Sequence, residues 1–406
     1  MQTSISGNSG SGFIVASLVT AACAAGPAAA ETFTEALAGG KVKADLRLRY
    51  ESVDQDNALD SADGLTLRTR LGYNTGGYKG FDAYVEMENS SALIEDFNSG
   101  PGGNGKAGYS VIGDPDGTEV NQAYLGYSGL LPETTAKFGR QRIILDNARF
   151  VGNVGWRQRE QTYDALRLTS QTLPGLTFNY AYIDNVQNIF GADVDMNNHI
   201  VNLGYTGFES LTLGAYGYFL AYNGSAAARA ASSQTLGAYV DGGYDLDGFR
   251  LLYRAEYAEQ SDYEDGSSNI DAEYMHFILG ATVGGITGKI GYEVLGGDSF
   301  SGFETPLATK HAFNGWADVF LNTPAAGLED TYIQVGGMLM GAKLLAVYHD
   351  YQAEQGGGGD YGTELNLLAA KSFGKYYSAG IKYADYDADG FGVDTEKFWV
   401  WGQVSF

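Results

Sequence analysis

The chain of 406 residues carries 25 basic and 49 acidic side chains, for a net charge of −24, and combines 58 glycines and 29 tyrosines with only 7 prolines. That acidic balance excludes nucleic acid as a partner, because recognition of a phosphate backbone needs a basic footprint. No apolar run reaches the roughly eighteen residues of a membrane-spanning helix, whereas abundant Gly and aromatic residues suit many pleated strands joined by tight turns.

The first thirty residues stand apart. They hold no charged side chain, an apolar run FIVASLVTAACAA from Phe13 to Ala25, and a small-x-small cleavage site at Ala28-Ala29-Ala30 before Glu31. Residues 1–30 therefore read as a secretory signal, although the positively charged start usual in such signals is missing. Cys23, the one cysteine, lies inside this segment, and TAAC lacks the Leu of a lipoprotein box. The mature chain is expected to be free of thiols, which suits a protein crossing an oxidising compartment unfolded. Residues 31–43 form a lead-in too short for a plug domain, and 44–406 form the main unit.

From Ala44 onward one theme recurs: about ten residues of alternating character, then a turn or loop. Leu46, Leu48 and Tyr50 alternate with Asp45, Arg47, Arg49 and Glu51; Leu65, Leu67 and Leu71 alternate with Arg68 and Arg70. Farther on, Phe81, Ala83, Val85 and Met87 oppose Asp82, Tyr84, Glu86 and Glu88, and Phe249, Leu251, Tyr253 and Tyr257 oppose Arg250, Arg254 and Glu256. A soluble sandwich alternates too, so the connections decide. Short links (GGYKG from Gly76, GLLPE from Gly129, GFES from Gly207, and Gly284-Gly285) alternate with long polar ones (Ser91 to Thr118, Leu145 to Arg159, Asp184 to Asn197, Gln260 to Asn269). Short turns at one end and long loops at the other mark an outer-membrane barrel.

Counting strands by this rule gives thirteen by Gly296. If Phe313 to Leu321 spanned the membrane, the total would be nineteen and QAEQGGGGDYG would fall among the short turns. Read as the seventh long loop, that segment restores an even number, as bacterial single-chain barrels require. The expected fold is thus an all-β, up-and-down antiparallel transmembrane barrel of eighteen strands, with sixteen as the alternative count, in the Gram-negative outer membrane. The ending KFWVWGQVSF places Phe406 on the face of Phe398, Val400 and Val404. That is expected of a last strand that pairs with the first, and it resembles the signal read by the barrel-assembly machinery.

Such a barrel leaves a wet lumen. Its inward face would carry a basic ladder of Arg47, Arg49, Arg68 and Arg70 near Asp45, Asp82, Glu86 and Glu88, and farther round Arg250, Arg254, Glu256, Glu273 and Glu293. Opposed charges across a pore tune which solutes pass; the same residues equally suit a wall of solvated ion pairs. KFGRQRIILDNARF is less regular: alternation puts Arg140 on the lipid-facing side of Phe138, and Gly139 suggests a bulge that resets the phase, with a place at the rim as the other solution. DYDADGFGVDTE matches a calcium loop, with Asp385, Asp387, Asp389 and Glu396 as carboxylates, Phe391 as carbonyl and Gly390 at the turn, although its flanks read as strands. No other cofactor is expected. Of His199, His276, His311 and His349, only His349 adjoins a carboxylate, Asp350, and neighbours on a strand face opposite ways; no hydrolase motif is present, so no enzyme is expected.

KFGRQRIILDNARFVGNVGWRQREQTYDALRL from Lys137, YHDYQAEQGGGGDYGTELNL from Tyr348 and YADYDADGFGVDTEKFWVW from Tyr383 resemble the alginate-export family of outer-membrane proteins and its porin-like relatives. That resemblance implies an eighteen-stranded barrel with a charged lumen passing anionic saccharides or small solutes. A dedicated polyuronate exporter would need a strongly positive pore, and here lumen carboxylates match the arginines. The expected function is a modestly selective porin for small hydrophilic solutes, with polysaccharide export and a non-conducting adhesive barrel as alternatives. Its surroundings would be outer-membrane lipid and lipopolysaccharide; whether three barrels assemble together stays open at this level.

Overall fold

The alternating segments form eighteen antiparallel strands in one closed sheet. The computed structural model describes residues 30, 32–298, 300–356 and 359–406; the expected secretory signal, apart from Ala30, lies outside them. In chain order the strands are β1 (Lys41–Gln55), β2 (Ala62–Asn74), β3 (Phe81–Asp96), β4 (Gly117–Tyr127), β5 (Thr134–Gln141), β6 (Thr162–Ser170), β7 (Leu176–Gln187), β8 (Asp193–Tyr205) and β9 (Leu211–Leu220). The second half comprises β10 (Ser233–Leu246), β11 (Phe249–Asp262), β12 (Asp271–Val283), β13 (Ile286–Leu295), β14 (Leu328–Leu339), β15 (Ala342–Gln352), β16 (Asp360–Phe373), β17 (Tyr377–Ala388) and β18 (Thr395–Ser405). Each pairs with its sequence neighbours, and β1 pairs with β18.

Closure is complete along the seam. The register runs from Asp45 opposite Ser405 to Gln55 opposite Thr395. Beyond the strand end, Phe406 N donates to Ala44 O at 2.9 Å and Ala44 N to Phe406 O at 2.7 Å. The terminal Phe406 ring is exposed on the outside, edge-on to Tyr376. The outer face is apolar, with Leu46, Leu48, Leu71, Phe138 and Ile290 exposed, and it belongs in hydrocarbon. Tyr244, Phe249, Phe373, Tyr377 and Phe406, exposed beside the short turns, add aromatic side chains at that rim. No described helix is long and apolar enough to cross a membrane.

Several boundaries differ from the sequence reading. The barrel begins at Lys41, three residues before Ala44, and the lead-in contains a helix, α1 (Phe33–Ala38), closed at its start by a Thr32–Glu35 capping box. Asp184 to Asn197 is not a long loop: β7 and β8 continue with Val186 opposite Val194, accommodated by a register shift between Ile183 and Asn185, and only residues 188–192 connect them. Arg140 needs no bulge. β5 keeps unbroken register with β4 and β6, and Arg140 stays on the outward face at the long-loop end. There its guanidinium donates to Asp164 at 2.8 and 2.7 Å and to Gln187 at 2.8 Å. The rim, with its carboxylates, removes the 2–4 kcal/mol or so that a midplane arginine would cost. The segment around Phe313 is a long connection, 296–327, as the strand count requires.

The seam is testable because the described chain has no cysteine. In a Cys23→Ser background, cysteines at Leu48 and Gly402, opposite each other across β1 and β18, should form a disulfide on mild oxidation. A pair at Leu48 and Leu365, on strands that are not neighbours, should not; the reverse result on non-reducing gels would refute closure.

Candidate functional site

The lumen is not an open tube. Connections 142–161, between β5 and β6, and 296–327, between β13 and β14, fold inward against the wall. Their apolar anchors are aromatic. Phe150 packs on Tyr216, Tyr218, Tyr274 and Phe303 with ring centroids 5.0, 5.8, 5.2 and 6.0 Å away. Phe320 packs on Tyr351 at 4.6 Å and on Phe391 at 5.3 Å. Each such pair contributes about 0.5–1.5 kcal/mol beyond area burial, so both loops are held by several kcal/mol before any charge is considered.

The basic ladder faces inward as expected and serves these loops. Arg47 Nε donates to Gln158 Oε1 at 3.0 Å, and its terminal nitrogens to the carbonyls of Gly155, Trp156 and Arg157. Arg49, fully buried, is bonded to Trp156 O and to Asp114, and lies 3.2 Å from Glu51. Arg68 pairs with Asp45 at 2.5 Å, and Arg70 with Glu88. Glu160 is the meeting point for Arg142, Asn121 and Asn153. Removing one partner from a buried pair of this kind costs about 3–5 kcal/mol, because the other charge is left uncompensated.

Asp318 joins the second loop to the first and to the wall. It accepts from Arg157 at 3.2 Å, from Lys397 on β18 at 3.1 Å, and meets His311 Nδ1 at 2.6 Å. His311 in turn stacks on Trp156 at 5.1 Å with rings 4° from parallel. Close approach of the loop depends on Gly315: its φ is +87°, and a Cβ there would meet Glu364 Oε2 at 2.1 Å. With no side chain in the way, the amides of Trp316 and Ala317 donate to Glu364 Oε1 at 2.5 and 2.8 Å. Burial pushes the His311 imidazole down to about 3 despite the neighbouring Asp318. Burial alone would raise Asp318, but His311, Lys397 and Arg157 outweigh it and hold the carboxyl well below its usual range.

On the opposite wall, Arg254 pairs with Glu256 at 2.8 Å and with Asp146, and Glu293 takes Arg149 at 2.7 Å. Glu86 accepts from Asn121 and Gln122. Arg250 and Asp82 lie near the short turns, Arg250 paired with Asp245 at 2.9 Å. Glu273 must be corrected. Ala272, Tyr274 and His276 point inward, so Glu273 shares the outward phase of Met275 and Phe277, and it accepts from the outward Tyr257 hydroxyl at 3.0 Å.

The calcium loop is not formed either. Asp385 and Asp387 belong to β17 and face outward, Glu396 belongs to β18 and accepts from Tyr383, and Phe391 packs on Phe320 and Tyr361. The hairpin spreads these side chains along two paired strands, with Asp389 exposed beyond them. Among the described residues no group of three or more His, Cys, Asp or Glu could hold a metal ion. His349 turns away from Asp350 and bonds Asp330 on β14 at 2.9 Å.

Below the loops a cavity of about 1280 Å³ runs from Lys43, Phe208 and Ser405 at the short-turn rim to Trp156, Asn314 and Trp316. Sequence reasoning missed Arg142 and His311 on the loops and Lys382 on the wall, which line it, and the buried loop residues Arg149, Arg157, Glu160 and Asp318 that hold the loops in place. The run Arg157-Gln158-Arg159-Glu160 was a usable signal: alternating charge inside a connection has little reason to exist unless the connection meets a charged wall.

A model of the alginate export family matches residues 40–292. The chain belongs to the alginate export family. No curated protein matches it. Its fold is shared with solved barrels at low identity. OccAB4 of Acinetobacter baumannii is 16% identical with a TM-score of 0.73, covering 90% of this chain and 98% of that one. OpdK of Pseudomonas aeruginosa, in a structure with vanillate, is 14% identical with a TM-score of 0.74, covering 91% and 99%. OpdL of the same organism is 17% identical with a TM-score of 0.70, covering 91% and 99%. This alginate export family member thus has the outer-membrane barrel fold, and its short turns lie on the periplasmic side.

The Asp318 junction should respond to acid. A freed His311 titrates near 6.5, so the unlatched loops bind the extra proton first. The latched arrangement is fully favoured above about pH 6.5 and weakens as the pH falls toward 3, and Asp318 adds to the loss below about pH 4. Hydrogen exchange of 142–161 and 296–327, corrected for intrinsic rates, should therefore accelerate across that range while the strands stay protected; exchange independent of pH would refute the junction.

Proposed function

We propose that the chain is a passive channel giving modestly selective diffusion of small hydrophilic solutes across the outer membrane. One observation carries this reading: a closed, charged lumen crossed by two inserted loops that leave a cavity of about 1280 Å³ on the periplasmic side. A space of this size exceeds the roughly 300–1,000 Å³ of typical small-molecule sites, so it suits a single small solute with its water. The pore-lining set we propose is Arg47, Arg68, Arg70, Glu86, Arg250, Arg254 and Glu293, all on the cavity wall, with Arg49, Glu88 and Glu256 buried behind it and Asp82 near the periplasmic rim. Because most of these charges are internally matched, the preference between ions is modest. Insertion by the assembly machinery through the Phe406 strand, and lipopolysaccharide around the outer rim, complete the picture.

Export of an anionic polysaccharide is the second reading, favoured by the family to which the chain belongs. Against it stand the loops themselves. A polymer needs a continuous bore, whereas Arg47, Arg157 and Asp318 tie the two loops to the wall and to each other. OpdK, similar in fold and described with vanillate, also supports a small solute.

Planar bilayers separate the readings. The refolded barrel should give stable open channels with a weak anion preference under a salt gradient, and oligouronates should not block them. Strong anion selectivity with oligouronate block would favour the exporter, and a barrel that carries no current would favour an adhesive surface protein.

A further inference from the structure

All four tryptophans of the chain, Trp156, Trp316, Trp399 and Trp401, gather at one place. At its centre is Lys382 on β17, which points inward and is 2% exposed. Its Nζ lies 3.8 Å from the ring centroid of Trp316, 4.5 Å from that of Trp156 and 5.4 Å from that of Trp399. Trp156 stands edge to face with Trp399 at 5.8 Å and with Trp401 at 5.4 Å. Gly380 makes room for this: a Cβ there would meet the Trp401 ring at 2.3 Å.

Lys382 hydrogen-bonds His311 Nε2 at 2.6 Å, and His311 Nδ1 faces Asp318 at 2.6 Å. If Nδ1 gives its hydrogen to Asp318, Nε2 is an acceptor, so a neutral imidazole accepts a hydrogen of the Lys382 amino group. Asp318 is already engaged by Arg157 and Lys397, and among the described residues Lys382 forms no ion pair. In that it differs from Arg49, Arg68 and Arg70, each matched by carboxylates. Around it lie donors without acceptors. Trp156 Nε1, Trp399 Nε1 and Asn366 Nδ2 are buried with no hydrogen-bond partner among the described residues; Trp399 and Asn366 are 0% exposed. Asn366 stands opposite Ala384 on β17, two residues from Lys382. Buried donors without acceptors are rare in folded proteins and call for explanation. A buried lysine without a carboxylate partner, beside several orphan N–H groups, is the complement of an anion, whose charge would hold it as the ammonium.

We propose that Lys382 and the surrounding tryptophans form a seat for one small monovalent anion, a halide or a carboxylate, at the throat of the cavity, and that Lys382 rather than the arginine ladder sets the anion preference of the pore. The inference rests on the channel reading for its physiological meaning. The aromatic walls exclude water there, which strengthens the attraction between ammonium and anion.

Because every tryptophan belongs to the seat, intrinsic fluorescence of the full chain in detergent reads it directly. Sodium iodide should quench the emission, and chloride or acetate should protect against it. Lys382→Met should lower the iodide quenching constant by about tenfold, the effect of losing one favourable charge contact, while quenching by neutral acrylamide stays the same; Lys382→Arg should restore much of the iodide response. Iodide and acrylamide constants that fall together in Lys382→Met, or iodide quenching indifferent to chloride and acetate, would mean that water alone satisfies these donors, and would overturn the seat. The readout needs no current. A non-conducting barrel with intact iodide quenching would defeat the channel reading and leave the seat standing, whereas a conducting barrel whose anion preference survives Lys382→Met would defeat the seat alone.

Discussion

In hydrocarbon every backbone N–H and C=O must find a partner within the protein, at several kcal/mol for each group that does not. A sheet with two edges cannot meet that demand, and the pairing of β1 with β18 does. The rest follows from it. Closure fixes the strand number as even when both termini lie at one rim, makes the outward positions apolar except near the long-loop rim, where Arg140, Glu273 and Asp385 sit, and gathers polar side chains into a shared interior. The final phenylalanine has its place for the same reason, since its backbone completes the seam with Ala44.

Once the wall is closed, charge inside it meets a second constraint. Arginines on a fully wet lumen would be worth little as ion pairs, the median surface pair giving about 0–1 kcal/mol. Here the inserted loops displace the water. Arg49 and Glu51 become fully buried, and their partners come from connections more than sixty residues away, Asp114 and Arg157. A ladder that looks like a selectivity device in the sequence is therefore also the clamp for the device that narrows the pore. Selectivity and architecture share residues, so charge changes in the ladder act on pore width as much as on field.

The wall was legible in the sequence because a strand's period is local. Leu46 and Leu48 against Arg47 and Arg49 show their faces within four residues, and the alternation of short and long connections gave parity without any structure. The errors arose where a local rule met a nonlocal partner. Arg140 broke no pattern; it simply ended high enough on β5 to reach Asp164 and Gln187. Glu273 lies between the inward Ala272 and Tyr274, three residues from His276, and so is one step out of their phase. The calcium-like spacing of Asp385 to Glu396 presupposed a compact loop, and strand pairing drew it straight. The throat was less legible still. His311 and Asp318 lie on one connection and Lys382 on β17, and nothing in their spacing tells that two loops fold inward to join them.

The net charge of −24 invites the conclusion that the pore repels anions, and the distribution of charge argues otherwise. Asp54, Asp56, Asp60, Asp96, Asp265, Asp360 and Asp389 are exposed at the long-loop rim. Exposed charges act through water and are largely screened beyond about 8 Å at physiological salt. Lys382, Arg47 and Arg142 line the cavity inside the wall, where the dielectric is low and a single unpaired cation outweighs several distant carboxylates. An acidic rim and a basic throat are compatible because they act over different ranges. The first acts on the approach of cations to the rim, and the second on any anion that reaches the cavity.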